Sequence, residues 1–176
     1  MIMKSVKILF ISLFIFSCAP IYVTHDFEKG TDFSKYKSYN YYQDIQTGLS
    51  ALDNKRLFNV LDNQLQSQGF SRSDMPDFYI NIYSQEYQEV QSSSVGVGMG
   101  GSSGNVGGSV SVGIPIGQGQ VSRRIIFEFV DENSIGLFWQ AVSESSYNPN
   151  ATPEKRESYL KILVEKVFRK YPPKSN

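Results

Sequence analysis

The chain has 176 residues, with 17 basic side chains against 17 acidic, 14% aromatic residues and a single cysteine. That length suffices for one domain with a real core. No basic patch of nucleic-acid type appears along the chain, and one cysteine excludes an internal disulfide.

The N-terminus carries Lys4 and Lys7, then the apolar run Ile8 to Phe16 interrupted only by Ser12, then Ser17 and Cys18. A basic start, a short apolar stretch and a small residue before the break form a secretory signal peptide over residues 1–17. The run is too short to span a bilayer, which takes about 20 residues. Ile15-Phe16-Ser17-Cys18 resembles a loose lipobox. The resemblance implies that Cys18 becomes the new N-terminus and carries acyl chains. Ala19, rather than an aspartate, follows the cysteine, which resembles outer-membrane sorting. The expectation is a lipid-anchored protein of the bacterial cell envelope, held at the outer membrane. Losing Lys4 and Lys7 with the signal leaves 15 basic residues and a net charge of about −2.

Residues 18–30 read as a tether that turns strand-like at Ile21-Tyr22-Val23. A strand is expected over Tyr36 to Tyr42. The first helix is expected over Asp53 to Gln68, because Leu57, Leu61 and Leu65 recur every four residues beside Phe58. Asp53 is read as its N-cap and Gly69 as its stop, with Phe70 folding back onto the helix end. Asp77 to Val90 alternates as a strand: Phe78, Ile80 and Ile82 face one way, Tyr79, Tyr83 and Tyr87 the other. Further strands are expected over Arg123 to Asp131 and Leu137 to Ser145, the latter holding Trp139. Thr152-Pro153 then opens a last helix whose buried face is Leu160, Leu163, Val164, Val167 and Tyr171. Lys166, Arg169 and Lys170 suit its negative end, and Pro172-Pro173 ends it.

Between the third and fourth strands lies a glycine-rich insert, residues 92–119, with no charged residue. Val95 to Met99 and Val110 to Ile114 alternate with glycine and serine, so the insert reads as a mobile loop at its tip with strand-like flanks. Gly-Lys-Ser/Thr, the mark of a phosphate-binding loop, does not follow it.

Groups able to do chemistry are few. His25 is the only histidine and reads as a solvated residue of the tether. No His/Cys cluster has metal-ligand spacing, and no Gly-x-Ser-x-Gly elbow occurs. Asp74 with Asp77, and Asp131 with Glu132, border strands and read as turn and cap residues. Arg123-Arg124 reads as a solvated strand entrance. No catalytic residue, metal or cofactor is expected. The candidate partner-binding residues are Tyr79, Tyr83 and Tyr87, a row able to stack on sugars or grip a protein if its sheet face is open.

Asp26, followed by Thr31-Asp32-Phe33-Ser34-Lys35-Tyr36-Lys37-Ser38-Tyr39, resembles the opening of the envelope-lipoprotein family called domain of unknown function four-one-three-six. The stretch Leu65 to Ile82 is similar to its helix closing on Gly-Phe and followed by Pro-Asp and an apolar strand. Trp139 and Val164 to Pro173 are similar to its tryptophan strand and its helix closing on Tyr-Pro-Pro. The resemblance brings no activity, cofactor or catalytic residue with it. The expected fold is a single α+β domain over residues 31–176: a mainly antiparallel sheet with two helices packed on one face. The expected function is non-enzymatic, a binding or structural accessory with an envelope protein as partner and the membrane held through its acyl chains. The alternative is a glycan-binding module or small hydrolase using the tyrosine face.

Overall fold

A computed structural model describes residues 20–89 and 120–173. The expectations for the signal peptide, for Cys18 and for the insert 92–119 lie outside the described residues.

Among the described residues, six strands form one sheet: β1 (Tyr22–Phe27), β2 (Ser38–Tyr41), β3 (Ser71–Arg72), β4 (Phe78–Glu89), β5 (Gln120–Asp131) and β6 (Gly136–Ser146). The described residues also form two helices, α1 (Ala51–Ser67) and α2 (Pro153–Phe168), with a short 3-10 turn at Phe33–Lys35. The strand order is β1-β6-β5-β4-β2-β3. The pairs β1–β6, β6–β5 and β5–β4 are antiparallel, whereas β2 runs parallel to both β3 and β4. The sheet is therefore mixed, which corrects the expected mainly antiparallel one. The cause is the helix between β2 and β4. A chain that leaves a strand, climbs back along a helix and pairs beside its starting strand must pair in parallel.

Each element has a visible reason. Ser50, not Asp53, is the N-cap of α1, and its hydroxyl accepts the N–H of Asp53 at 3.2 Å. Asp53 sits three residues further on, the acidic position of a capping box, which explains why sequence alone confuses the two. The helix ends in a Schellman motif: Gly69 has φ +91, Gly69 N–H reaches the carbonyl of Gln66 and Phe70 N–H that of Leu65, each at 3.0 Å. Thr152 caps α2 and Pro153 follows it, as expected.

Both helices lie on one face of the sheet. Leu57, Leu61 and Leu65 of α1 and Leu160, Leu163, Val164, Val167 and Phe168 of α2 are buried against Phe78, Ile80, Ile82, Ile125, Phe127, Phe129, Trp139 and Ala141. The core is aromatic to an unusual degree. A bulge helps: Phe129 pairs with Trp139 and Val130 with Leu137, so Phe138 has no opposite number. Phe138 and Trp139 consequently both turn inward, and Phe138 stacks on Tyr36 at 4.1 Å. Two polar atoms are buried with these rings, Trp139 Nε1 and the Tyr171 hydroxyl. Neither has a hydrogen-bond partner among the described residues.

Candidate functional site

Among the described residues, no helix covers the other face of the sheet. Its side chains follow from the strand register, which sets them in rows across four strands. Gln85, Arg124, Glu144 and Tyr22 form one row, and Tyr83, Ile126, Val142 and Thr24 the next. Asn81, Glu128, Gln140 and Asp26 form the third, and Tyr79, Val130 and Leu137 the fourth. Most are half-buried, Ile126 is buried, and Tyr22, Thr24, Asp26, Gln85 and Leu137 are exposed.

Glu128 is the centre of this face. Its carboxylate accepts from Asn81 Nδ2 at 3.0 Å, from Gln140 Nε2 at 3.1 Å and from the Tyr83 hydroxyl at 3.2 Å. Burial, together with the charge of Glu128 and its hydrogen bond, pushes the Tyr83 hydroxyl above its ordinary pKa. Arg124 pairs with Glu144 and lies over the Tyr87 ring at 5.6 Å. Tyr79 stacks on Tyr42, centroid to centroid 5.1 Å. Burial and a hydrogen bond to Glu132 push the Tyr42 hydroxyl up to about 12. An open groove of about 660 Å³ runs beside this pair, and Tyr42, Asp44, Tyr79, Asn81, Glu128 and Glu132 are among its lining residues.

The three sequence-predicted tyrosines thus share the uncovered face but form no continuous stack. Four residues of strand separate each from the next, about 13 Å. Each has a different partner: Tyr42 for Tyr79, Glu128 for Tyr83, Arg124 for Tyr87. Sequence reasoning missed Tyr42, Asn81, Glu128 and Gln140. The signal for Asn81 was present, because it alternates in phase with Tyr79 and Tyr83. Glu128 and Gln140 become visible only with the β4–β5–β6 register.

Other residues singled out from sequence have settled structural roles. His25 lies in β1, half-buried, with Nε2 2.8 Å from the Val167 carbonyl and its ring 5.9 Å from Trp139. It is a sheet residue and not part of a solvated tether. Arg123 is buried, paired with Glu86, and its guanidinium lies 3.3 Å from the centre of the Tyr147 ring. This corrects the solvated reading of that arginine. Asp77 accepts the N–H groups of Lys37 and Ser38, both at 2.8 Å, and so fastens β2 to the start of β4. At Asp131, burial opposes ionisation, but hydrogen bonds from Lys35 and Tyr36 outweigh it and hold the carboxyl below its ordinary range. Among the described residues, no group of three or more His, Cys, Asp and Glu is placed to hold a metal ion. No helix among them is long and apolar enough to cross a membrane.

A family model described as "Domain of unknown function (DUF4136)" matches residues 23–173, from the second residue of β1 to beyond the end of α2. The chain belongs to this family. Its opening, closing and Gly-Phe-to-Pro-Asp stretches are thus those of a DUF4136 domain, as the resemblance in the sequence suggested. No curated protein matches the chain. Among solved structures, a PDZ domain protein from Parabacteroides distasonis is similar with a TM-score of 0.53 at 13% identity, covering 90% of this chain and 37% of that one. The chain therefore spans little more than a third of that protein, and the likeness is one of fold. The PelC dodecamer from Paraburkholderia phytofirmans is similar with a TM-score of 0.49 at 12% identity, covering 85% of this chain and 95% of that one.

Proposed function

We propose that this DUF4136 domain is a non-enzymatic binding module of the bacterial envelope, anchored through acyl chains on Cys18 and meeting its partner with the open sheet face. The observation that carries this reading is the pairing on that face. Glu128 holds three donors, Arg124 holds Glu144, and Tyr79 is stacked on Tyr42. Such a surface is fixed in shape and presents aromatic, amide and carboxylate groups together, which suits docking. The signal architecture around Cys18 supports the anchor.

Two measurements test the two halves. Metabolic labelling with a fatty acid is expected to mark the wild-type chain and not Cys18→Ala; labelling of both overturns the anchor. A photo-crosslinking residue placed at Gln85, on the open face, is expected to capture a partner in intact cells. The same residue at Lys161, on the exposed side of α2, is expected to capture none. Capture from Lys161 alone overturns the assignment of the face.

The groove beside Tyr42 and Tyr79 favours one second reading, a glycan partner. Stacked rings bordered by Asn81 and Glu128 offer the apolar platform and hydrogen-bonding groups that a sugar ring needs. Sedimentation with purified peptidoglycan, present in wild type and lost in Tyr42→Ser/Tyr79→Ser, is the expected result under that reading. Equal sedimentation of both proteins rules it out.

A further inference from the structure

The beginning of β1 and the end of α2 meet at one edge of the molecule. Lys166 Nζ donates to the carbonyl of Ile21 at 3.3 Å, and a shallow depression of about 190 Å³ opens between Ile21, Val23, His25, Lys166, Arg169 and Lys170. The stretch Lys166 to Tyr171 contains three cations and no carboxylate. Arg169 and Lys170 are exposed. Five of the six arginines, Arg56, Arg72, Arg123, Arg124 and Arg156, are matched to a carboxylate. Arg169 is the exception among the described residues. The dipole of α2 favours cations at its C-terminus, and three within the five residues Lys166 to Lys170 make a local positive patch suited to an anion from outside.

The position of this patch along the chain says which anion. Ile21 follows Cys18 by three residues, and three residues of extended chain reach at most about 11 Å. A domain acylated at Cys18 has no room to swing away from the bilayer. Whatever surrounds Ile21 meets the headgroups, and what surrounds Ile21 is Lys166, Arg169 and Lys170. Tyr22, two-thirds exposed at the same strand end, adds an amphipathic ring of the kind that settles at a membrane–water boundary. We infer that Lys166, Arg169 and Lys170 form a headgroup-binding patch that lays the start of β1 and the end of α2 on an anionic phospholipid surface. The inference rests on the reading of Cys18 as the anchor. It adds an orientation: the β1 edge faces the bilayer and the Tyr42–Tyr79 groove, beside β2 and β4, lies toward the far side of the sheet.

The test uses the chain from Ala19 onward, which keeps the whole core from Ile21 to Tyr171 and lacks acyl chains. It is sedimented with large vesicles of phosphatidylcholine, with and without phosphatidylglycerol. Wild type is expected to bind the phosphatidylglycerol vesicles, to ignore the neutral ones and to be released by high salt. The triple variant Lys166→Gln/Arg169→Gln/Lys170→Gln is expected to bind roughly a hundredfold more weakly, each basic residue near an anionic surface contributing about fivefold. Lys55→Gln/Lys155→Gln/Lys161→Gln, with the same loss of charge at other exposed helix positions, is expected to bind like wild type. Equal binding by wild type and the first variant, equal binding to both vesicle types, or an equal loss in the second variant overturns the patch. Circular dichroism on each variant confirms that it is folded. Acyl labelling of the full chain reads the anchor separately, so a failure of the anchor and a failure of the patch give different results.

Discussion

The two faces of the sheet are built from alternate residues of the same strands, yet they use those residues in opposite ways. On the helix-covered face, Phe78, Phe129, Phe138 and Trp139 are fully buried and touch ring to ring, and Phe127, equally buried, meets the Phe168 ring. On the open face, Tyr79, Tyr83 and Tyr87 keep an edge in water and each leans on one partner. Phenylalanine and tryptophan supply the area that drives folding. Tyrosine, with a polar tip, gives the open face shape without making it an aggregation-prone apolar sheet. Stability is therefore expected to reside on one face and recognition on the other.

The largest test of that division is truncation in the helix layer. Leu61→Ala and Leu163→Ala remove fully buried side chains and are expected to cost about 2–5 kcal/mol each, read from chemical denaturation. If either is near neutral, the helices do not close the core as described. Next comes Asp53, buried between Arg56 at 2.8 Å and Arg156 at 2.6 Å. It ties the first turn of α1 to that of α2. Asp53→Ala strands two half-buried guanidinium groups and is expected to cost about 2–3 kcal/mol, in the range of hydrogen bonds to charged groups. Arg56→Ala, which leaves Asp53 its second partner, is expected to cost less.

Alkaline titration separates the faces by a different property. Tyr39, Tyr41 and Tyr171 lie on the covered side. Burial, reinforced at Tyr39 and Tyr41 by hydrogen bonds to Asp62, raises their hydroxyl pKa well above the ordinary value of 10.0. In the unfolded chain they ionise near that ordinary value. The stability they contribute is thus complete below about pH 10 and is lost as pH rises toward the folded values. Each group contributes up to about 1.4 kcal/mol per pH unit in that window. Tyr171→Phe removes one such group, a hydroxyl with no partner among the described residues. It is expected to leave stability at pH 7 equal or higher and to flatten the alkaline slope, measured by denaturation at pH 8 to 11. An unchanged slope shows that Tyr171 is not buried as described.

Much of this was legible in the chain, for reasons that differ by element. The leucines of α1 and the Thr152-Pro153 start of α2 declare themselves because helix periodicity and capping are local. The alternation of Phe78 to Tyr83 is equally local, and it placed the tyrosine row on the right face. What was not legible depends on distant pairing. The parallel run of β2 beside β4 follows from α1 crossing between them, and the inward turn of Phe138 follows from a bulge set by the β5 register. Phe168, buried against Trp139, was passed over because it borders the cationic end of its helix. Glu128 looked like one more strand carboxylate, since nothing in the sequence says that Asn81, Tyr83 and Gln140 converge on it.

The smallest expected effect is also the sharpest, because it compares neighbours. Phe78 and Tyr79 are consecutive in β4, and the pleat sends them to opposite faces. Phe78 packs against Tyr36, Phe129 and Phe138 and is wholly buried. Phe78→Ala is expected to cost about 3–5 kcal/mol. Tyr79 is half-buried and has Tyr42 as its stacking partner. Tyr79→Ser forfeits that stacking and some partial burial, about 0.5–1.5 kcal/mol, and the domain is expected to remain cooperative in unfolding. Its cost belongs elsewhere: capture from Gln85 is expected to weaken in Tyr79→Ser, while acyl labelling at Cys18 stays as in wild type. If Tyr79→Ser destabilises as much as Phe78→Ala, the open face is part of the core, and the division between a folding face and a docking face fails. If it is stable and captures the partner as wild type does, Tyr79 holds no place in recognition, and the docking surface moves along β4 toward Tyr83 and Tyr87.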